Sequence, residues 1–311
     1  MHILVTGGAG FIGSHVADRC VAEGHRVTVL DNLRSGSEAN VNPRADFVRM
    51  DLRDPGLPAL VGKLRPEAVL HFAAQIDVRV SCQDPVFDAE ENVLATLRLI
   101  EAGLASGMAR FVFASSGGAI YGEASGRQDE AHPEVPLNPY GVAKLAVDKY
   151  LAAYAVQRGL AGCSLRFSNV YGPRQGSKGE AGVVAVFCKA LRAGRAPVVN
   201  GDGRQTRDFL FAPDIAEAVS LALARRATGV FNLGTGIETD IRTLAEGLCE
   251  RAGVDPGAIV HAPGIAGEQR RSCLDPGKAA RELDWRPRTA FAEGLGLTWD
   301  WFSRKGDAHE A

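Results

Sequence analysis

Thr6-Gly7-Gly8-Ala9-Gly10-Phe11-Ile12-Gly13 follows the short apolar run at 2–6 and opens a helical pattern at 12–23. A strand that turns this tightly into a helix needs a glycine, and a second glycine clears side chains from the amides at the helix N-terminus, where a diphosphate can approach. The third lets helix and strand pack closely. A second strand is expected at 26–31, and it ends on Asp31, about 20 residues on, where a carboxylate accepts hydrogen bonds from an adenosine ribose. Gly7, Gly10, Gly13 and Asp31 are therefore expected to hold a dinucleotide. A carboxylate at 31 repels the 2′-phosphate of NADP and favours NAD. Arg34 is the nearby guanidinium that could bind such a phosphate, against its plainer reading as a solvated loop charge.

The same alternation continues outward. Apolar strands are expected at 47–50, 68–72, 110–115 and 163–167, with helices at 87–106 and from Asn138-Pro139 to 158. Strands that are apolar throughout, alternating with helices, indicate a parallel sheet covered on both faces. The expected fold is α/β, a doubly wound parallel (Rossmann) sheet with a smaller C-terminal α/β substrate lobe. Residues 1–171 form the dinucleotide domain, rejoined by about 205–236, and residues 172–311 the lobe. Later helices are expected at 239–252, capped by Thr239 or Asp240, at 276–283 and at 292–302.

Composition excludes several classes. With 35 Lys+Arg against 37 Asp+Glu, and the signs mixed along the chain, there is no basic face for nucleic acid. No stretch approaches the ~18–20 apolar residues of a membrane span, so no membrane partner is expected. The N-terminus carries no basic leader or small-residue cleavage site, which points to a cytoplasmic protein. The six cysteines lack the paired spacing of metal ligands or redox dithiols and are expected to be small buried hydrophobes.

Tyr140 and Lys144 stand at i and i+4, on one face of the expected 138–158 helix. A neighbouring ammonium favours the phenolate, so the pair makes a general acid/base for a sugar or alcohol hydroxyl. The helix follows the 110–115 strand, and the C-terminal ends of parallel strands build the ligand crevice.

Taken together, the residues resemble the extended short-chain dehydrogenase/reductases, and within them the nucleotide-sugar 4-epimerases of the UDP-galactose 4-epimerase type. The resemblance runs from residue 3 to about 285. Its markers are 6–13, Asp31-Asn32-Leu33, Asp51-Leu52, His71-Phe72-Ala73-Ala74-Gln75, Asn92-Val93, 115–122, Tyr140/Lys144, 166–175, Thr206-Arg207-Asp208 and 272–275. It implies that Phe11 and Ile12 line the pyrophosphate, and that Asp31 and Asn32 hold the adenosine ribose. Asp51 and Leu52 would edge the adenine, while Phe72, Ala73, Ala74 and Asn92 line the middle of the cofactor. Lys144 would also hold the nicotinamide ribose. On the substrate side, Asn169 and Arg207 would hold the nucleotide diphosphate, and Val78 and Val183 would wall the pockets, unless these valines are plain core. The implied reaction is NAD-dependent 4-epimerisation of a UDP-hexose, UDP-glucose/UDP-galactose or the N-acetylhexosamine forms, through a transient 4-keto sugar with Tyr140 as acid/base. The resemblance also implies a homodimer packed through helices near 86–103 and 140–157.

The chain departs from that pattern in places. The family usually carries Ser or Thr four residues before the Tyr-Gly pair, and here that residue is Gly117. Ser116 or Ser115 reaches over, a water fills the gap, or Tyr140 alone contacts the 4-oxygen; Ser116 is the favoured substitute. The Asp-Glu pair of the 4,6-dehydratases is replaced by Gly118 and Ala119, so dehydration lacks its acid and base. Ile265 and Ala266 stand before Glu268 where an arginine often clamps the second phosphate, leaving Arg270 or Arg271 to substitute. Ser272 is small where the family limits room around the sugar C2 substituent. Other readings are a net nucleotide-sugar dehydrogenase or reductase, a dTDP-sugar epimerase, and a non-catalytic NAD-binding protein.

Overall fold

The structure is a computed structural model of the 311-residue chain, and it describes residues 1–123, 126–176, 182–264 and 269–304. Seven strands build one sheet: β1 (His2–Thr6), β2 (Arg26–Asp31), β3 (Asp46–Arg49), β4 (Ala68–His71), β5 (Arg110–Ser116), β6 (Ala161–Phe167) and β7 (Gly229–Leu233). Their order is β7-β6-β5-β4-β1-β2-β3, every neighbouring pair parallel. The order reverses between β1 and β4, which opens a crevice beyond the strand ends.

Side chains of a strand alternate between faces, and β1 uses both. Ile3 and Val5 join an apolar cluster with α1 (Phe11–Ala22) and α6 (Ala212–Ala224). Leu4 joins a second cluster with α2 (Leu57–Leu64), α3 (85–105) and α4 (Pro139–Arg158). Helix α3 runs from Pro85–Ala89 through a π turn at Glu90–Leu94 into Ala95–Ala105. The continuous helix expected at 87–106 is thus broken by a wider turn, which aims Asn92 at the Gln75 backbone. Asn92 Oδ1 accepts from Gln75 N at 3.0 Å, and its Nδ2 donates to Gln75 O at 2.9 Å.

A third cluster forms the C-terminal core, from α5 (Val183–Arg192), α7 (Ile241–Ala252) and α8 (Phe291–Arg304) around Phe209, Phe211 and Tyr171. Short strand pairs surround it: Asn169–Tyr171 with Phe209–Phe211, Thr206–Arg207 with Thr239–Asp240, and Val198–Asn200 with Val260–Ala262. Asp240, not Thr239, caps α7, its carboxylate accepting from Thr243 N at 2.6 Å. Five of the six cysteines are buried; Cys82 is exposed. Among the described residues no helix is long and apolar enough to cross a membrane.

Candidate active site

The glycine turn lies at the reversal point of the sheet. Gly7 has φ +67°, a conformation that L side chains rarely adopt, and a Cβ there would sit 2.5 Å from Ala73 N. A Cβ on Gly13 would sit 2.2 Å from Gly7 O, so these glycines let α1 start directly over the turn. Gly10 is the N-cap of α1 and provides no side-chain hydrogen bond. The first-turn amides, Phe11 and Ile12 among them, thus face the crevice end of the helix without a side-chain cap, the electropositive seat a diphosphate needs. Asp31 is buried and its carboxylate is held by Ala9 N at 3.0 Å and Leu33 N at 2.8 Å. Two acceptors in a fixed plane remain able to take ribose hydroxyls, and burial pushes this carboxyl up. These features fit a bound dinucleotide.

Around the adenine end, Asn32 Nδ2 donates to Asp51 Oδ2 at 3.0 Å, and Arg53 grips Asp51 at 3.0 Å through both Nε and a terminal nitrogen. The guanidinium holds the Asp51 carboxyl well below the usual range. Leu52 is buried beside it. Arg34 is turned to Glu91 at 3.4 Å and lies 4.8 Å from the centre of the Phe87 ring. In the middle of the crevice, the rings of Phe72 and Phe167 stack at 6.4 Å, and Ala73 and Ala74 are half-buried next to the Gly7 turn.

Helix α4 carries the acid/base pair. Asn138 caps it, Oδ1 accepting from Gly141 N at 2.9 Å, and Pro139 fills the first turn. Gly141 allows a close approach, since a Cβ there would meet Ala119 O at 2.3 Å. The helix start is therefore pressed on the one-turn helix Gly117–Ile120 that ends β5. Lys144 Nζ donates to Ala114 O at 2.9 Å and lies 5.6 Å from the Tyr140 ring centre and 4.6 Å from that of Phe113. Burial pulls the Lys144 ammonium down to about 8, against the opposing pull of Asp148 and Asp88. A charge this poorly solvated acts strongly on a neighbouring phenol.

The end of β5 explains the missing hydroxyl. A Cβ at Gly117 would meet the Leu274 methyl groups at 2.7 Å, whereas one at Gly118 would lie 3.6 Å from Ser272 Oγ. Leu274 and Ser272 are buried. Ser115 is buried beside Asp148. Ser116 is half-buried, and its Oγ accepts only a long 3.4 Å bond from Ala119 N.

Asp208 joins this strand end to the lobe. Its carboxylate accepts from Thr235 N, Thr235 Oγ1, Gly236 N and Leu274 N at 2.6–3.2 Å. Next to it, Arg207 is half-buried and donates to Thr206 O at 2.8 Å, and Asn169 N donates to Asp208 O at 2.9 Å. Arg270 and Arg271 are exposed and paired with Asp202 at 3.6 Å and Glu238 at 2.6 Å. Val78 begins a short helix, half-buried, and Val183 packs on the third apolar cluster. Ile265, Ala266 and Glu268 lie outside the described residues.

Several further buried groups surround this crevice, some of them marker residues to which the sequence pattern gave no role. His71 bridges Thr6 Oγ1 at 2.6 Å and Thr96 Oγ1 at 2.8 Å, and burial pulls it down to about 3, so it is neutral. Asp88 Oδ1 accepts from Gln75 and Asn92, both at 2.9 Å. Asp148 pairs with Arg166 at 2.8 Å, and Arg166 also donates to Tyr121 Oη at 2.9 Å and Glu134 at 2.5 Å. The i+4 spacing that picks out Tyr140/Lys144 continues to Asp148 and could have found it.

The model of the NAD dependent epimerase/dehydratase family matches residues 3–234. A UDP-glucose 4-epimerase of Mycolicibacterium smegmatis is 41% identical, the match covering 98% of this chain and 99% of the relative. The solved UDP-glucose 4-epimerase of Thermotoga maritima with UDP-glucose has a TM-score of 0.94 at 41% identity, covering 97% of this chain and 98% of its own. That of Thermus thermophilus, in complex with NAD, has a TM-score of 0.92 at 44% identity, covering 97% and 99%.

Proposed function

The chain belongs to the NAD dependent epimerase/dehydratase family, and on that premise we propose that it is an isomerase that interconverts UDP-hexoses at C4, UDP-glucose and UDP-galactose first among them. The observation that carries the reading is the Tyr140/Lys144 pair, pressed on the end of β5 at the sheet crevice. Gly7, Gly10, Gly13, Phe11 and Ile12 would hold the NAD diphosphate, with Asp31 and Asn32 at the adenosine ribose. Bound NAD supplies a reversible hydride acceptor. Tyr140, its phenolate favoured by the Lys144 charge, removes the proton of the sugar 4-hydroxyl as the C4 hydrogen departs with its electron pair. The 4-keto sugar turns over, and Tyr140 returns the proton once C4 has been reduced on its other face. Ser116 would bond the 4-oxygen in place of the hydroxyl absent at 117.

Asn169, Arg207 and Arg270 would bind the diphosphate, with Val78 and Val183 at the pocket walls. Ser272 leaves room at the sugar C2 for N-acetylhexosamines. Dehydration is disfavoured because Gly118 and Ala119 carry neither acid nor base. In this reading residues 1–171, rejoined by about 205–236, bind the cofactor, and 172–311 bind the nucleotide sugar. The enzyme works in cytoplasmic carbohydrate metabolism as a homodimer, an association supported by exposed Val86, Leu94, Val142 and Val156 on α3 and α4.

The test is to incubate the purified protein with UDP-galactose, UDP-N-acetylglucosamine or dTDP-glucose, without added cofactor, and identify products by NMR. UDP-glucose from UDP-galactose is expected, with NAD released on denaturation. Protein without dinucleotide that added NAD does not activate would sink the proposal.

A further inference from the structure

We infer that Asp148, with Asp88 opposite it, keeps Lys144 charged, which makes Asp148 a positioning residue for the Tyr140/Lys144 pair. The inference rests on the role given to that pair above. Residues 140, 144 and 148 share one face of α4, and both Lys144 and Asp148 are only 3% exposed. Asp148 is held from turning to solvent by Arg166, itself 1% exposed and anchored by Tyr121 and Glu134. Asp88 is held from α3 by Gln75 and Asn92.

The groups facing Lys144 can be followed element by element. Its own helix offers the Tyr140 phenol and Asp148. From α3 comes Asp88, and from β4 comes His71, which is neutral. Strand β5 presents the Phe113 ring and the Ala114 carbonyl to Lys144, and its Ser115 lies against Asp148. Arg166 on β6 stands behind Asp148 and answers it. The two carboxylates are therefore what offsets the loss of water around the ammonium. They act through space, since the hydrogen bond of Nζ goes to Ala114 O. With Asp148 neutral, Lys144 would give up its proton at lower pH, and the phenolate of Tyr140 would lose its support.

The test uses NAD-loaded protein labelled at lysine Cε with ¹³C, the Lys144 signal being assigned by its disappearance in Lys144→Arg among seven lysines. In Asp148→Asn the Lys144 midpoint is expected to fall by about one pH unit or more. The alkaline limb of kcat should move down with it, KM for the sugar staying put, and Asp148→Glu should restore both. An Asp148→Asn protein with wild-type melting temperature and NAD content, but unchanged midpoint and pH profile, overturns the inference. If that variant does not fold, Asp88→Asn leaves Arg166 paired and carries the same test. Its Lys144 midpoint should fall too, and an unchanged one overturns the inference. The NMR titration needs no turnover, so a missing epimerase activity would be seen separately.

Discussion

Replacing Lys144 by methionine should make the protein more stable and nearly inactive. Burial moves the ammonium from 10.5 to about 8, and at 1.36 kcal/mol per pH unit this charges the folded state about 3 kcal/mol at pH 7. Methionine removes that cost with an apolar side chain of similar length. It also removes the bond to Ala114 O, worth about 1 kcal/mol net. No carboxylate is orphaned, because Asp148 keeps Arg166 and Asp88 keeps Gln75 and Asn92. The net gain is about 2 kcal/mol, or about 3 °C in Tm for a chain of this size. The assay is thermal melting of protein freed of dinucleotide, from pH 7 to 10, beside turnover of the loaded enzyme, which should drop by about 100-fold or more. The pH dependence has a definite sign. Between about 8 and 10.5 the folded lysine releases its proton while the unfolded one keeps it, so wild-type stability rises with pH and the gap to Lys144→Met narrows. A variant that melts below wild type at pH 7, or a gap that does not narrow above pH 8, refutes the reasoning.

Gly13→Ala forces a methyl group to 2.2 Å from the Gly7 carbonyl. The backbone must move, and NAD affinity, read by fluorescence titration, should fall by about 100-fold as the diphosphate seat is lost, the equivalent of about 3 kcal/mol. Ser116→Ala should cut turnover by about tenfold or more with sugar binding unchanged; wild-type rates would move the hydroxyl role elsewhere. Gly117→Ser should lower stability by about 1–3 kcal/mol through crowding against Leu274, whereas Gly118→Ser, with Ser272 Oγ at 3.6 Å, should melt like wild type.

The parallel sheet and the glycine turn were legible because both are written locally. A strand buried on both faces is a short apolar run, and a strand-to-helix turn over a diphosphate needs its glycines within a few residues of one another. Tyr140/Lys144 was legible through helical spacing. Helix α5 carries a helical signal too, since Val184, Phe187, Cys188 and Leu191 recur at helical intervals and are all buried. Other features depend on partners distant in sequence. The π turn at Glu90–Leu94 is fixed by what Asn92 reaches at Gln75, and no local propensity marks it. The two- and three-residue strand pairs of the lobe are too short to carry a period. Asp208 stood inside a recognised motif, yet its work of joining Thr235, Gly236 and Leu274 appears only when those three come together in space.

The glycine at 117 makes sense only with that long-range join. Read along the chain, it is a catalytic hydroxyl gone missing. In the fold, the room for a side chain at 117 is taken by Leu274, which is fully buried and whose backbone N–H is tied to Asp208 at 3.2 Å. The Leu274 methyl groups would have to turn within a buried cluster that also holds Ile120 and Tyr121, so a hydroxyl at 117 would crowd the packing at the end of β5. One residue earlier a hydroxyl is accommodated: Ser116 is half-buried and makes only one long bond. The glycine at 117 and the leucine at 274 therefore form one packing unit. In the proposed function the hydroxyl at the sugar 4-oxygen is therefore assigned to Ser116, which this unit does not crowd.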